Sequence, residues 1–85
     1  MVYLKNRLAA YENVVGRFYL ERDAYVAALN RAKTALEQYH GADSSAESLQ
    51  IMIEAYEGLG MRQLADDTWR VLEKNFSDEP VVQNE

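Results

Sequence analysis

The sequence predicts an all-α chain of about four helices paired into two antiparallel hairpins, and three observations predict it. Apolar residues recur at steps of three and four along four segments, short turn signals separate those segments, and the pattern returns after 37 positions. The composition agrees: one proline, four glycines and 48% hydrophobic residues among 85 belong to a folded helical domain. A chain this short buries only about 60–70% of the surface that its unfolded form exposes, so modest stability is expected.

Leu4, Leu8, Tyr11, Val15, Phe18 and Tyr19 form one stripe and predict a first helix over about 3–21. Tyr25, Ala28, Leu29, Ala32, Ala35, Leu36 and Tyr39 repeat the pattern, with Asp23 placed to cap the start and Gly41 to stop the end. Only Glu21-Arg22-Asp23 lies between the two, so they must fold back on each other as a hairpin over about 3–41. A second hairpin, about 44–77, opens at Ser44 and Glu47, which have capping-box spacing. It runs through Leu49, Met52, Ile53, Tyr56 and Leu59 to Gly60, a residue free to adopt positive φ. Its second helix carries Leu64, Ala65, Trp69, Leu72 and Phe76 and stops by Pro80. One domain over 1–79 with a flexible tail over 80–85 is therefore expected.

The internal repeat is specific in register. Tyr19 matches Tyr56, Asp23 matches Gly60 and Ala28 matches Ala65, each pair 37 positions apart. Gly16, Tyr19, Ala28, Ala35 and Leu36 fall where tetratricopeptide repeats place small and aromatic residues: small side chains let two helix backbones approach, and the aromatic fills the space beside them. The predicted architecture is thus a tetratricopeptide-like α-solenoid with Gly16, Tyr19, Ala28, Tyr56, Gly60 and Ala65 as repeat positions. Ile53 and Leu72 replace Gly16 and Ala35 in the second repeat, where looser or different packing is expected. An unrelated four-helix bundle would carry similar stripes, but the register of small residues favours the solenoid.

Catalytic chemistry finds little to work with. Cysteine is absent, which removes disulfides, thiolate nucleophiles and the commonest zinc sites. The single histidine, His40, reads as a helix-end residue facing the dipole, so neither metal nor cofactor is expected. Asp66 with Asp67 and Glu54 with Glu57 read as solvated carboxylates, and no phosphate loop or nucleophile elbow is present. The nine aromatics read mostly as core. A binding scaffold, not an enzyme, is the expectation.

Net charge of −5 argues against nucleic acid, and no apolar run approaches the roughly 20 residues that span a bilayer. Residues 1–33 nevertheless carry +3 and the remainder −8, which fits either two differently solvated helix pairs or a first half that docks on an acidic partner. Arg31 is the candidate anchor. It sits off its helix stripe among Ala27, Thr34 and Ala35, and its planar fork suits a carboxylate; the alternative is a solvated arginine paired with a nearby glutamate.

The stretch Leu4-Lys5-Asn6-Arg7-Leu8-Ala9, then Tyr11-Glu12, Phe18-Tyr19 and Glu21-Arg22-Asp23-Ala24-Tyr25-Val26-Ala27-Ala28-Leu29-Asn30-Arg31, resembles the BamD family over about residues 3–76, most specifically over 18–31. The resemblance implies a periplasmic lipoprotein of five tetratricopeptide repeats, held at the inner face of the outer membrane, that helps to fold β-barrel proteins. It implies docking of the C-terminal repeats on the membrane-proximal POTRA domain of the barrel subunit BamA, with room for other BAM lipoproteins. Arg31 matches the family's arginine in that contact, with Asn30, Ala27 and Thr34 around it. Asp23 departs from the family's glycine and His40 from its proline. With no lipid-bearing cysteine, the chain is expected to be a C-terminal piece without the anchor, whose Met1 need not be native. The alternative is a generic tetratricopeptide adaptor gripping a peptide in its groove, which Arg7 and Arg17 suit better than Glu54 and Glu57.

Overall fold

The steps of three and four become four helices: α1 over Val2–Glu21, α2 over Tyr25–Gln38, α3 over Ser45–Gly58 and α4 over Arg62–Phe76. A computed structural model describes residues 2–39 and 44–76, less the side chains of 2–6 and 76, and among them there is no strand. The main packing runs from α1 to α2, α2 to α3 and α3 to α4, with a smaller contact between α1 and α3. A closed four-helix bundle would bring α4 back onto α1; this progressive stacking, in a layer of 38 × 31 × 19 Å, is that of an all-α tetratricopeptide-like solenoid.

The centre is built of small residues. Ala28 and Ala32 of α2 are fully buried against Ile51 and Ala55 of α3, with Tyr19, Leu20, Tyr25, Leu29 and Met52 packed around them. Ala9 and Ala35 pair α1 with α2 beside Tyr39. In the second hairpin Leu49, Tyr56, Ala65, Thr68 and Leu72 are buried. Alanine at the joint lets three helices approach closely, so the stacking rests on backbone proximity more than on large side chains.

The repeat is visible in hydrogen bonds. After α1, the Ala24 N–H donates to Tyr19 O at 2.9 Å; 37 residues later the Met61 N–H donates to Tyr56 O at 2.8 Å. Both are the six-to-one bond of a Schellman ending, with Asp23 (φ 59°) and Gly60 (φ 78°) in the left-handed position. Aspartate therefore makes the same tight turn as glycine, at a cost in backbone strain.

Several sequence expectations need correction. Asp23 does not cap α2: Ala24 holds the cap position without a side-chain bond, and the Asp23 carboxylate instead accepts from the Tyr25 hydroxyl at 3.0 Å. The Ser44–Glu47 capping box does not form either. Ser44 has φ −87° and ψ 11°, not the extended geometry that turns a cap oxygen onto the next turn, and its buried hydroxyl has no partner among the described residues, while Glu47 turns to Arg17. The first apolar stripe is not the buried side of α1, because Leu8, Tyr11 and Phe18 are exposed and Ala9, Asn13 and Gly16 face inward. Leu64 and Trp69 are likewise exposed, so core packing does not account for the aromatics at 11, 18 and 69. The expectations for His40, Gly41, Pro80 and the tail lie outside the described residues.

Candidate partner-binding site

Arg31 leaves α2 on the flank facing α1, where its Nη1 donates to Glu12 Oε1 at 3.0 Å. Glu12 keeps only 13% of its side-chain surface, whereas Arg31 keeps 42%. One partner is thus set into the hairpin and the other reaches out of it. The hydrogen bond to Glu12, then its charge, holds the guanidinium pKa above its ordinary value, and Tyr19 adds a smaller contribution of the same sign. The side chain is preset by the first hairpin alone. Around it Asn30 is exposed, and Ala27 and Thr34 are half-buried. The sequence named Arg31 and allowed for a glutamate partner. It did not identify Glu12, which lies 19 positions away on another helix, a distance no local spacing reports.

A second cation serves a different end. Arg17 Nε donates to Glu47 Oε2 at 2.8 Å and its Nη1 to Glu54 Oε2 at 3.4 Å, so α1 is tied to two points about two turns apart on one α3 face. Bonding to Glu47 raises the Arg17 pKa most, against a smaller opposing effect of burial. Two carboxylates on one guanidinium leave little attraction for the carboxylate of a peptide. Nearby, buried Ser48 donates to Asn13 Oδ1 at 2.7 Å while Asn13 Nδ2 donates to Ser44 O at 3.1 Å. This polar bridge pins the register between hairpins, because a slip would bury both groups unpaired.

The repeat positions are placed as follows. Gly16, Ala28, Tyr56 and Ala65 are buried, Tyr19 is half-buried and Gly60 forms its turn. Gly16 is less demanding than its position suggests, since a methyl there would meet Ile51 Cγ2 at 3.4 Å, an ordinary contact. The demanding glycine is one the sequence did not single out. A Cβ at Gly58 would fall on the Tyr25 ring, which lies against the end of α3.

Among the described residues no group of three or more histidine, cysteine, aspartate or glutamate side chains could hold a metal, and no helix is long and apolar enough to cross a membrane.

The family model described as YfiO, outer membrane lipoprotein, matches residues 1–72. The outer membrane protein assembly factor BamD of Neisseria meningitidis (serogroup A) is 46% identical over 82 residues, 96% of this chain and 31% of that protein. The protein of the same name from Haemophilus influenzae is 40% identical over 75 residues, 88% of this chain and 29% of its own length. That of Vibrio cholerae is 37% identical over 75 residues, again 88% of this chain and 31% of the relative. The chain spans about a third of the length of these relatives.

Proposed function

We propose that this chain, which belongs to the YfiO family of outer membrane lipoproteins, is a non-enzymatic scaffold in outer-membrane protein assembly, and that its first hairpin docks through Arg31 on an acidic surface of the membrane-proximal POTRA domain of BamA. Work at the periplasmic face of the outer membrane, beside other assembly lipoproteins, follows from the same reading.

One observation carries the residue-level part. At 37 positions from Glu12 and Arg31 the second hairpin has Leu49 and Thr68, both buried. The repeat can therefore be closed at this place without charges. Such a pair is at most a weak stability device, because Arg31 keeps 42% of its side-chain surface in solvent, and screening by water and the ordering of two long side chains offset most of the attraction in a half-solvated ion pair. Retaining it in the hairpin of excess positive charge supports a role outside the fold. A guanidinium held on one side by Glu12 and exposed on the other meets a partner carboxylate with little ordering cost. Asn30, exposed beside it, would lie at the edge of the contact, with Ala27 and Thr34 leaving room for close approach.

The mechanism is geometric. Stacked hairpins fix the distance and angle between sites, so a subunit docked on one face is held in a set orientation. A groove-binding adaptor is the second reading, but Arg17, already shared by Glu47 and Glu54, counts against it for peptides recognised by their carboxylate.

Affinity for the isolated POTRA domain tests the proposal. Wild type should bind, Arg31→Lys should bind about tenfold more weakly for loss of the fork, and Arg31→Glu should lose binding. Undiminished affinity in Arg31→Glu would end the Arg31 assignment, and no binding by wild type would end the partner assignment.

A further inference from the structure

The two hairpins meet along two seams of opposite character. Between α2 and α3 the seam is dry: Ala28 and Ala32 pack on Ile51 and Ala55, all four fully buried. Between α1 and α3 the contact is smaller and rich in polar groups. Ser48 donates to Asn13, Asn13 donates to Ser44 O, and Arg17 reaches both Glu47 and Glu54. Gly16 lies where the seams join, with Ile51 and the Ala28 carbonyl beside the place that a side chain would take.

These seams resist different motions. Sliding one hairpin along the other would bury Asn13 and Ser48 unpaired, so the register is held. Swinging them apart is easier, because opening the α1–α3 seam hands its polar groups to water while the alanines stay in contact. Alanine raises only low ridges on a helix, and a small rotation has no long side chain to unlock there.

Arg17 spans the side that such a swing opens. It holds the same place in its repeat as Glu54, 37 positions on, so opposite charges stand side by side where α1 and α3 run together. Its two bonds are unequal, 2.8 Å to Glu47 and 3.4 Å to Glu54, and the three side chains keep 38%, 45% and 52% of their surface exposed. Contacts so open to water are weak and are screened by salt. They contribute little to folding, yet they bias two arrangements of nearly equal energy.

We propose that Arg17 is a strap that sets the angle between the hairpins. Engaged on Glu47 and Glu54, it holds the α1–α3 seam closed; when salt screens it, the second hairpin swings on the alanine joint. The stack is then a ruler whose angle answers to ionic strength, so that a subunit docked on one hairpin turns relative to the other. The inference does not depend on Arg31 or on any assembly partner.

Distances between paired spin labels test it, helped by a sequence without cysteine. Labels at Val14→Cys and Gln50→Cys, both exposed, report across the α1–α3 seam; labels at Val14→Cys and Lys33→Cys, exposed on α2, are the control within the first hairpin. At low salt the seam pair should give one narrow distance. Arg17→Gln should lengthen it by about 2 Å and broaden it, as should salt of about 1 M, where the screening length falls to about 3 Å. Helical ellipticity and the control distance should not change, and salt should add nothing to Arg17→Gln. Arg17→Glu alone should open the seam furthest. Exchanging the charges, Arg17→Glu with Glu54→Arg, should restore the narrow distance, because the two positions are equivalent in the repeat.

A seam distance unchanged in Arg17→Gln would overturn the proposal. So would salt that widens Arg17→Gln as much as wild type, which would place the motion outside the strap, or an exchange that leaves the seam as open as Arg17→Glu does. Loss of ellipticity in Arg17→Gln would overturn it as well, because Arg17 would then be part of the fold and not an adjustable contact upon it.

Discussion

Where the first hairpin buries Ala32 completely between its neighbours, the second leaves Trp69 52% exposed at the matching position, and where the first sets Glu12 against Arg31, the second buries Leu49 and Thr68. The two hairpins share turns, tyrosines and register, so these differences are not differences of fold. They follow the number of neighbours. The helix α2 is covered by α1 and α3, and its fully buried positions are alanines; among the described residues α4 is covered mainly by α3 and is free to carry a large ring on its open side. In a solenoid a residue's role is set by its repeat position together with its place in the stack.

The largest expected contrast lies between the joint and the open end. Ile51→Ala should cost about 2–4 kcal/mol, since Ile51 is fully buried among alanines that cannot close the gap, whereas Trp69→Ala should cost less than about 1 kcal/mol. Denaturant melts of the two variants would measure this, and equal losses would mean that α4 is held by more than α3.

The two glycines give the next contrast. Gly58→Ala should destabilise by about 1–2 kcal/mol, because the Tyr25 ring must leave its place, even after the better helix propensity of alanine. Gly16→Ala should be neutral or stabilising by up to about 1 kcal/mol, since the added methyl meets Ile51 at ordinary distance. A stabilised Gly58→Ala would show that the ring does not rest there.

The smallest effect separates the two turns. Asp23→Gly should raise stability by about 0.5–1 kcal/mol by matching Gly60 in the left-handed region. The same variant reports on Tyr25, whose pKa is raised chiefly by its hydrogen bond to Asp23. A raised folded-state value means that this contact's stabilisation is fully present below the ordinary tyrosine value of about 10 and is lost as pH rises through the folded value. Absorbance titration should find one tyrosine ionising late in wild type and at the ordinary position in Asp23→Gly; an unchanged profile would dismiss the contact.

Much of this fold was legible because helix periodicity, glycine turns and a repeat are local or additive signals. The four helices and the match of Tyr19 with Tyr56 came from spacing, and the positive φ at Gly60 from a glycine at a helix end. What the sequence misassigned depends on the third dimension. The stripe through Tyr11 and Phe18 has correct helical spacing, yet spacing does not say which neighbour covers it. Asp23 and Ser44 have cap chemistry, but φ and ψ decide whether an oxygen reaches an N–H, and at both places the backbone turns elsewhere. Of the candidate site, Arg31 stood out by its small-residue surroundings. Glu12, Asn13 and Gly58 act through residues 19, 35 and 33 positions away, and only the folded chain brings those pairs together.

The claim that the Glu12–Arg31 pair is kept for docking and not for the fold has one direct measurement. The double variant Glu12→Leu with Arg31→Thr writes the second hairpin's residues into the first, and its melting temperature and its affinity for the POTRA domain are read together. The melting temperature should stay level or rise while affinity falls at least tenfold. A fall in melting temperature with affinity unchanged would contradict the account, making the pair a structural element and leaving Arg31 without a partner beyond Glu12.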